Sequence, residues 1–571
     1  MNIKREEKIK IVGLGLILFI AVAVLSNIIF FAVDNSINGI DSPNHLFYSL
    51  EFYQQLNDTI TNKSLSAFAK IQEIKKQFCS PVEYSGIYWP NGLNAMTSVF
   101  YAFFGKTLFS AKLALLPYLI ILLLATYYIG EYLYGKSIGF FAAVILFLYP
   151  IIFQSSRQFQ LDFPLTSLVA LTMLFLIKSE LFSERKYSIY AGCALGITML
   201  IKGQAMIFLI GPLMFIIYEV WRSLYTKKQS KKIVLFHFLL FLFFALTFAY
   251  LWWGGKGQVI FKSLQEHIFN SNKSSYENFV YNFDDKFSFK ILTFYLRAMV
   301  WMLGPLGLCF FIFVGLADSK RILENKILLF WLLIPFVLFS VFFNVKSSRY
   351  LMPILPAIAV ITANSLSNMK KYRYTMIFLM LFICLFQFAA FSLGSLEKNS
   401  LIKKTHVFFP LTGYEATPLK LKHNIEQVAA VLEKDKESNR KIKVGTVCTG
   451  TLDSFETMYW LGINSEKIII IDIVQDVKRF AAELEYLDYL LFVTHARYGY
   501  SYTWPQGGLL WELLLRRFPY RTSVQDKNNL LIWRDLVSDL KAMESEFDLL
   551  SKTRDQNTGY NVYYLFKRKR E

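Results

Sequence analysis

The sequence predicts a polytopic α-helical membrane protein of about eleven transmembrane helices, followed by a soluble α/β domain on the outer face. Three observations carry that prediction. The 571 residues are 54% hydrophobic and 17% aromatic, with a mean hydropathy of +0.38; a water-soluble chain of this length does not carry so much apolar surface. Apolar runs long enough to cross a bilayer recur from residue 11 to about 394, and the hydrophilic links between them alternate in Lys and Arg content. Beyond about 395 the apolar runs shorten to strand length and alternate with amphipathic segments.

The N-terminus reads "MNIKREEKIK" and continues apolar from Ile11 to about Val33. A basic flank, a run longer than a signal-peptide core and no small-residue cleavage pattern predict an uncleaved first span with its N-terminus in the cytoplasm. Further spans fall near 109–133, 137–155, 162–179, 188–203, 204–220, 233–252, 291–315, 326–345, 350–367 and 374–394. The links "KREEKIK", "YGKS", "SERKYS", "WRSLYTKKQSKK", "ADSKRILENK" and "MKKYRY" then share the cytoplasmic side, and all carry Lys or Arg. Lys202 and Gly203 interrupt the apolar stretch 188–220; reading it as two spans keeps every other link on its side.

The opposite face receives the longer links, roughly 34–108 and 253–290, and the C-terminal region. In the first link Leu46, Phe47, Leu50, Phe52 and Tyr53 mix with polar residues, and "NAMTSVFYAFFG" is apolar but too short to span. Both pieces are expected to lie along the membrane interface. The domains are therefore 1–394, membrane-embedded, and 395–571, extracytoplasmic. In the second, "KIKVGTVCTG", "EKIIIIDI", "YLLFVTH", "NLLIWRD" and "VYYLFKR" read as strands, with "NIEQVAAVLEKD" and "VKRFAAELEYL" as helices between them. Gly445 and Gly450 lack the spacing and the ribose-binding acid of a dinucleotide site.

The formal charge of +19 comes with no nucleic-acid motif, and basic cytoplasmic loops with anionic lipid or phosphate partners account for it. Five cysteines without paired spacing exclude a disulfide framework and a zinc site. Asn272-Lys273-Ser274 fits a glycosylation sequon, which has no meaning in a bacterial host.

Charge at membrane depth is costly and needs a reason. On the face opposite the basic loops stand Asp41 after span one, Arg157 and Asp162 in "SSRQFQLDFPL", Lys202 in "GCALGITMLIKGQ", and Lys346, Arg349 and Tyr350 in "NVKSSRYLMPILP". Two carboxylates and several cations on one face suit a sugar leaving a polyprenyl monophosphate. Cations stabilise the departing phosphate and a carboxylate takes the proton of the attacking hydroxyl. Arg clamps phosphate bidentately, whereas Lys supplies a point charge.

These residues carry a resemblance to the GT-C membrane glycosyltransferases, in the branch of the protein O-mannosyltransferases and lipid A aminoarabinose transferases. Its pieces are the Asp in "NGIDSPNHLFYSLEF", the Arg and Asp of "RQFQLDFPLTSLVALTMLFL", the run "GCALGITMLIKG" and the helix start "RYLMPILPAIAVI". The resemblance spans residues 1 to about 394. It implies a polyprenyl-phosphate sugar donor, an inverting transfer and catalysis at the outer membrane face. Carried over by position, Asp41 is the general base and Asp162 a second acidic site residue. Lys202 and Arg349 neutralise the donor phosphate, with Arg157 a helper. Two departures stand out: Ser42 follows Asp41 where many relatives carry a second acid, and "YSGIYWPNGLNAM" lacks the Lys of the family's basic, Pro-rich segment.

Each residue also has a plainer reading. Asp41 and Asp162 sit where helix caps sit, before Pro43 and Pro164; Lys202 could snorkel and Arg349 could anchor at the interface. His45, one helical turn from Asp41, is a candidate helper that orients that carboxylate, with Tyr350 and Lys346 as further helpers. No cofactor is expected, since a monophosphate met by Lys and Arg does not call for a divalent ion. The expected partners are a polyprenyl-phosphate sugar, a lipid, glycan or protein acceptor, and membrane lipids, in a bacterial plasma membrane. A transporter or flippase of lipid-linked sugars is the rival reading, but it predicts midplane charge and internal repeats, which the sequence lacks. A non-catalytic envelope assembly protein is the other; retention of Asp41, Asp162, Lys202 and Arg349 together argues against it.

Overall fold

The computed structural model describes residues 2–37, 41–79, 82–84, 87–225, 231–254, 293–304, 325–343 and 346–368, isolated helical residues at 307, 375, 378, 379, 381, 382, 385, 388, 428, 430–432, 459, 460, 462 and 463, and five strands between 442 and 568. The chain divides into two compact units, one of Met1–Asn38 and Phe52–Leu419, the other of Gly39–Glu51 and Lys420–Glu571.

The first unit is helical. Among the described residues, five helices are long and apolar enough to cross a membrane: Val12–Val33, Leu108–Tyr134, Ala205–Arg222, Lys232–Leu251 and Ser348–Asn368; Lys136–Leu148 and Lys326–Val341 are shorter apolar helices. Their outward faces suit lipid. Ile17, Leu18 and Val22 on α1 (Asn2–Val33) are exposed, as are the later residues Phe243, Leu246 and Tyr250. The protein is an integral membrane protein on this evidence of long apolar helices.

The link after α1 is helical. The helix α2 (Ser42–Thr61) starts at Ser42 and Pro43, and α3 (Ala67–Cys79) follows. A two-stranded antiparallel hairpin, β1 (Val82–Tyr84) and β2 (Ile87–Trp89), then leads into α4 (Gly92–Phe104). After α5 (Leu108–Leu113), α6 (Leu116–Tyr134) and α7 (Lys136–Leu148) form a hairpin. At Gly139 an added Cβ would lie 2.3 Å from the Tyr127 carbonyl oxygen, so the two helices approach at backbone contact. The run 137–155, expected as one span, breaks. Tyr149 is extended and α8 (Pro150–Ser155) begins a new direction. The cause is local: proline lacks the N–H that would continue the helix and drives the residue before it out of the helical region.

The helices α9 (Asp162–Lys178), α10 (Arg185–Met199), α11 (Ala205–Tyr225) and α12 (Lys231–Trp253) complete the centre. The stretch 188–220 is two helices, parted at residues 200–204 around Lys202 and Gly203. A Cβ on Gly192 would lie 2.4 Å from the Phe241 carbonyl oxygen, so α10 and α12 also touch through their backbones. Later come α13 (Phe294–Leu303), α14 (Lys326–Val341), a 3-10 helix at Ser348–Ile354 and α15 (Leu355–Asn368), of which α15 is buried from Leu355 to Leu366.

The second unit holds a mixed five-stranded sheet of β3 (Ile442–Cys448), β4 (Ile468–Asp472), β5 (Tyr489–His495), β6 (Phe547–Arg554) and β7 (Asn561–Arg568), in the order β4-β3-β5-β7-β6. The β3 strand pairs in parallel with β4 and β5, and β7 pairs antiparallel with β5 and β6. Four of these strands coincide with apolar runs expected to be strands. The fifth, "FDLLSKTR", alternates too weakly to stand out, while "NLLIWRD" and the expected helix "VKRFAAELEYL" lie outside the described residues.

Candidate functional site

The first unit gathers Asp162, Lys202 and Arg349, with Tyr350 beside them. Asp162 occupies the first turn of α9, which Pro164 helps to open because a proline there costs no hydrogen bond. Its side chain does not cap the helix. Oδ1 accepts a hydrogen bond from the Lys202 ammonium at 2.7 Å, and Oδ2 lies 3.5 Å from Nε of Arg349. The helix N-terminus adds a partial positive charge beside the carboxylate. Lys202 comes from the turn between α10 and α11, and Arg349 from the 3-10 helix before α15. All three side chains are at most 5% exposed.

Lys202 is held by rings as well. Its ammonium lies 5.0 Å from the Trp89 ring centroid and 5.0 Å from that of Tyr350, within cation–π range. An ammonium has three N–H donors. Among the described residues, Asp162 is the one hydrogen-bond partner of the Lys202 ammonium. Two cations thus share this carboxylate, and the N–H donors that Lys202 has left over suit a further anion.

The turn that carries Lys202 is clamped from both sides. The Gly92 N–H donates to the Leu200 carbonyl at 2.9 Å, and the Trp253 indole N–H donates to the Met199 carbonyl at 3.1 Å. A Cβ on Gly92 would lie 2.4 Å from Leu200 O, so only glycine lets the start of α4 dock there.

Arg157 is placed elsewhere. Its Nε donates to Asn27 Oδ1 of α1 at 3.1 Å, and its guanidinium lies 4.5, 5.4 and 5.7 Å from the rings of Phe30, Phe388 and Phe153. Burial pushes this guanidinium below its ordinary pKa, and the Asp34 carboxylate opposes the shift. Lys346 donates to the carbonyls of Phe339 and, at 2.8 Å, Ser340, the last turn of α14. The sequence reading offered Arg157 for the donor phosphate and Lys346 as a possible helper; their described contacts are a bolt to α1 and a helix cap. Asp41 and His45 belong to the second unit, where the Asp41 carbonyl accepts the His45 N–H at 3.1 Å and closes the first turn of α2.

Sequence reasoning missed a second buried ion pair. Lys112 donates to Asp34 Oδ2 at 2.5 Å and to the carbonyls of Ser36 at 3.0 Å and Asp34 at 3.4 Å. It also missed Trp89, although the quoted "YSGIYWPNGLNAM" contains it; an aromatic before Pro-Asn-Gly was the available signal. Among the described residues, no three His, Cys, Asp or Glu side chains gather to hold a metal ion.

Residues 90–253, which include Asp162 and Lys202, match the family described as dolichyl-phosphate-mannose-protein mannosyltransferase. No curated protein matches the chain. Among solved structures, ArnT from Cupriavidus metallidurans bound to undecaprenyl phosphate is similar in fold, with a TM-score of 0.58 over 96% of this chain and 98% of that one at 12% identity. The same protein in its apo state gives 0.56 over 96% and 97%, at 14% identity. The resemblance read from the sequence is borne out as a family match over residues 90–253 and as a fold shared with ArnT over nearly the whole chain.

Proposed function

We propose that the protein is a glycosyltransferase that moves a sugar from a polyprenyl-phosphate donor to a hydroxyl of a lipid, polysaccharide or protein, with inversion, at the extracytoplasmic face of a bacterial plasma membrane. The observation that carries this reading is the buried Asp162–Lys202–Arg349 group, in which two cations share one carboxylate and Lys202 keeps N–H donors to spend. As the glycosidic C–O bond breaks, negative charge develops on the leaving phosphate. Lys202 and Arg349 stabilise it at its source, in a site shielded from water. Asp162 keeps both cations in place before the donor arrives.

Asp41 is the general base in this reading: it takes the proton of the acceptor hydroxyl as the oxygen attacks the anomeric carbon from the face opposite the phosphate. No divalent metal is assigned a role.

The test uses the purified full chain, a labelled polyprenyl-phosphate hexose or pentose and cell-envelope acceptors. Wild type releases polyprenyl phosphate, and Asp41→Asn slows release by about 10²-fold or more while keeping donor affinity. Equal release by both forms removes Asp41 as the base. Release by neither form, from any polyprenyl-phosphate sugar, removes the transferase reading.

A further inference from the structure

We infer that Trp89 is a positioning residue for Lys202: its ring face, brought in by the docking of Gly92 on the Lys202 turn, fixes the ammonium without consuming its N–H donors. The inference rests on the proposal that Lys202 binds the donor phosphate.

A buried lysine can be held in two ways. Carbonyl oxygens hold it by accepting its N–H groups, as the backbone of Asp34 and Ser36 does for Lys112. Ring faces hold it by the attraction of the cation to the π-cloud, which leaves the hydrogens available. Lys202 is held in the second way on two sides, by Trp89 and Tyr350 at 5.0 Å each, and in the first way only by Asp162. A phosphate oxygen arriving at Lys202 therefore meets N–H donors that are already desolvated and oriented, which is what a preorganised anion site needs.

The placement of Trp89 is built into the local sequence. Trp89 closes the hairpin, and three residues later Gly92 docks flush on the Leu200 carbonyl through its N–H. Asn91 fastens the same segment by donating to the Phe78 carbonyl at 3.1 Å. The opposite side of the turn is sealed by Trp253, whose ring leaves no space for a side chain at Gly203, with the nearest ring atom 2.6 Å from an added Cβ. Hairpin, glycine contact and asparagine anchor thus deliver one indole to one ammonium.

The experiment measures binding of undecaprenyl phosphate to the full chain in detergent micelles, alongside the thermal unfolding midpoint, for W89F, W89L, G92A and K202M. Leucine keeps apolar packing and removes the ring face; phenylalanine keeps the face. W89L is expected to weaken binding about five- to tenfold, W89F to stay within about twofold of wild type, and G92A, which forces the segment off Leu200, to behave as W89L. K202M separates the two claims. If K202M binds as wild type, the phosphate role of Lys202 falls and the inference with it. If K202M loses binding while W89L and G92A keep it, the phosphate role stands and Trp89 has no positioning function. W89F as weak as W89L likewise overturns the ring-face argument, and should W89L not be recovered folded, W89F and G92A decide by the same criteria.

Discussion

Two buried lysines in the first unit show what distinguishes a binding cation from a structural one. Lys112 and Lys202 are 2% and 3% exposed, and each pairs with a buried aspartate. Lys112 spends three N–H contacts on Asp34 and Ser36, and Asp34 in turn accepts the Ser36 hydroxyl at 2.6 Å. Lys202 spends one, on a carboxylate that Arg349 also claims, and otherwise faces rings. Burial is the same in both and each ammonium meets a carboxylate; the fraction of donors already satisfied by protein differs. A closed pair serves the fold, whereas an open one invites a ligand.

The sharpest way to break this comparison is to remove each ammonium in turn. Lys112→Met removes the ammonium that Asp34 pairs with, and breaking a buried pair costs about 3–5 kcal/mol. The expected readout is a sharply lower unfolding midpoint, with turnover per folded molecule close to wild type. Lys202→Met should do the reverse. Turnover of a polyprenyl-phosphate sugar falls about 10²–10³-fold, because the charge on the leaving phosphate loses its nearest donor. The destabilisation is smaller than at Lys112, since Asp162 keeps Arg349. If Lys202→Met unfolds the protein and Lys112→Met silences it, the two roles have been assigned the wrong way round.

The two arginines extend the comparison at smaller magnitude. Arg349 touches Asp162, whereas Arg157 is enclosed by Phe30, Phe153 and Phe388 and bonded to Asn27, which itself donates to Ser156 Oγ at 2.9 Å. Arg157→Met keeps much of the packing and loses the hydrogen bond and the cation–π contacts, worth together about 1–3 kcal/mol. Thermal unfolding should register that loss, and the KM for the donor should stay near wild type. Arg349→Met should raise the donor KM instead. A raised KM in Arg157→Met would return Arg157 to the phosphate site that the sequence suggested for it.

How much of this was legible in the sequence depended on the kind of signal. The long apolar helices were, because bilayer thickness fixes a run length that composition alone displays. Asp162, Lys202 and Arg349 were, because each interrupts or borders an apolar run within a recurrent motif. Asp34 and Lys112 were not. They stand 78 residues apart, each at the edge of an apolar run where a charged residue reads as ordinary, and pairing is a tertiary event that no local pattern records. The break at Tyr149 was legible in principle, since Pro150 stands inside the run expected as one span; hydropathy outweighed it. Trp89 was visible as a residue but not as a contact, because a ring face leaves no signature of the cation it covers.

Lys346 offers the smallest effect and the finest test of reading a cation by its motif. It stands three residues before Arg349 in "NVKSSRYLMPILP", and on position alone the two would act together on a phosphate. The structure sets its ammonium on the carbonyls of Phe339 and Ser340, beside the Tyr295 ring at 5.6 Å. Those carbonyls belong to the last turn of α14, where the helix has no N–H of its own to offer and its dipole is negative. A cation there stabilises the helix end by about 1 kcal/mol. Lys346→Met should therefore lower the unfolding midpoint slightly and leave the donor KM within about twofold of wild type. A donor KM raised beyond that would show that Lys346 serves the phosphate site as well as the helix end.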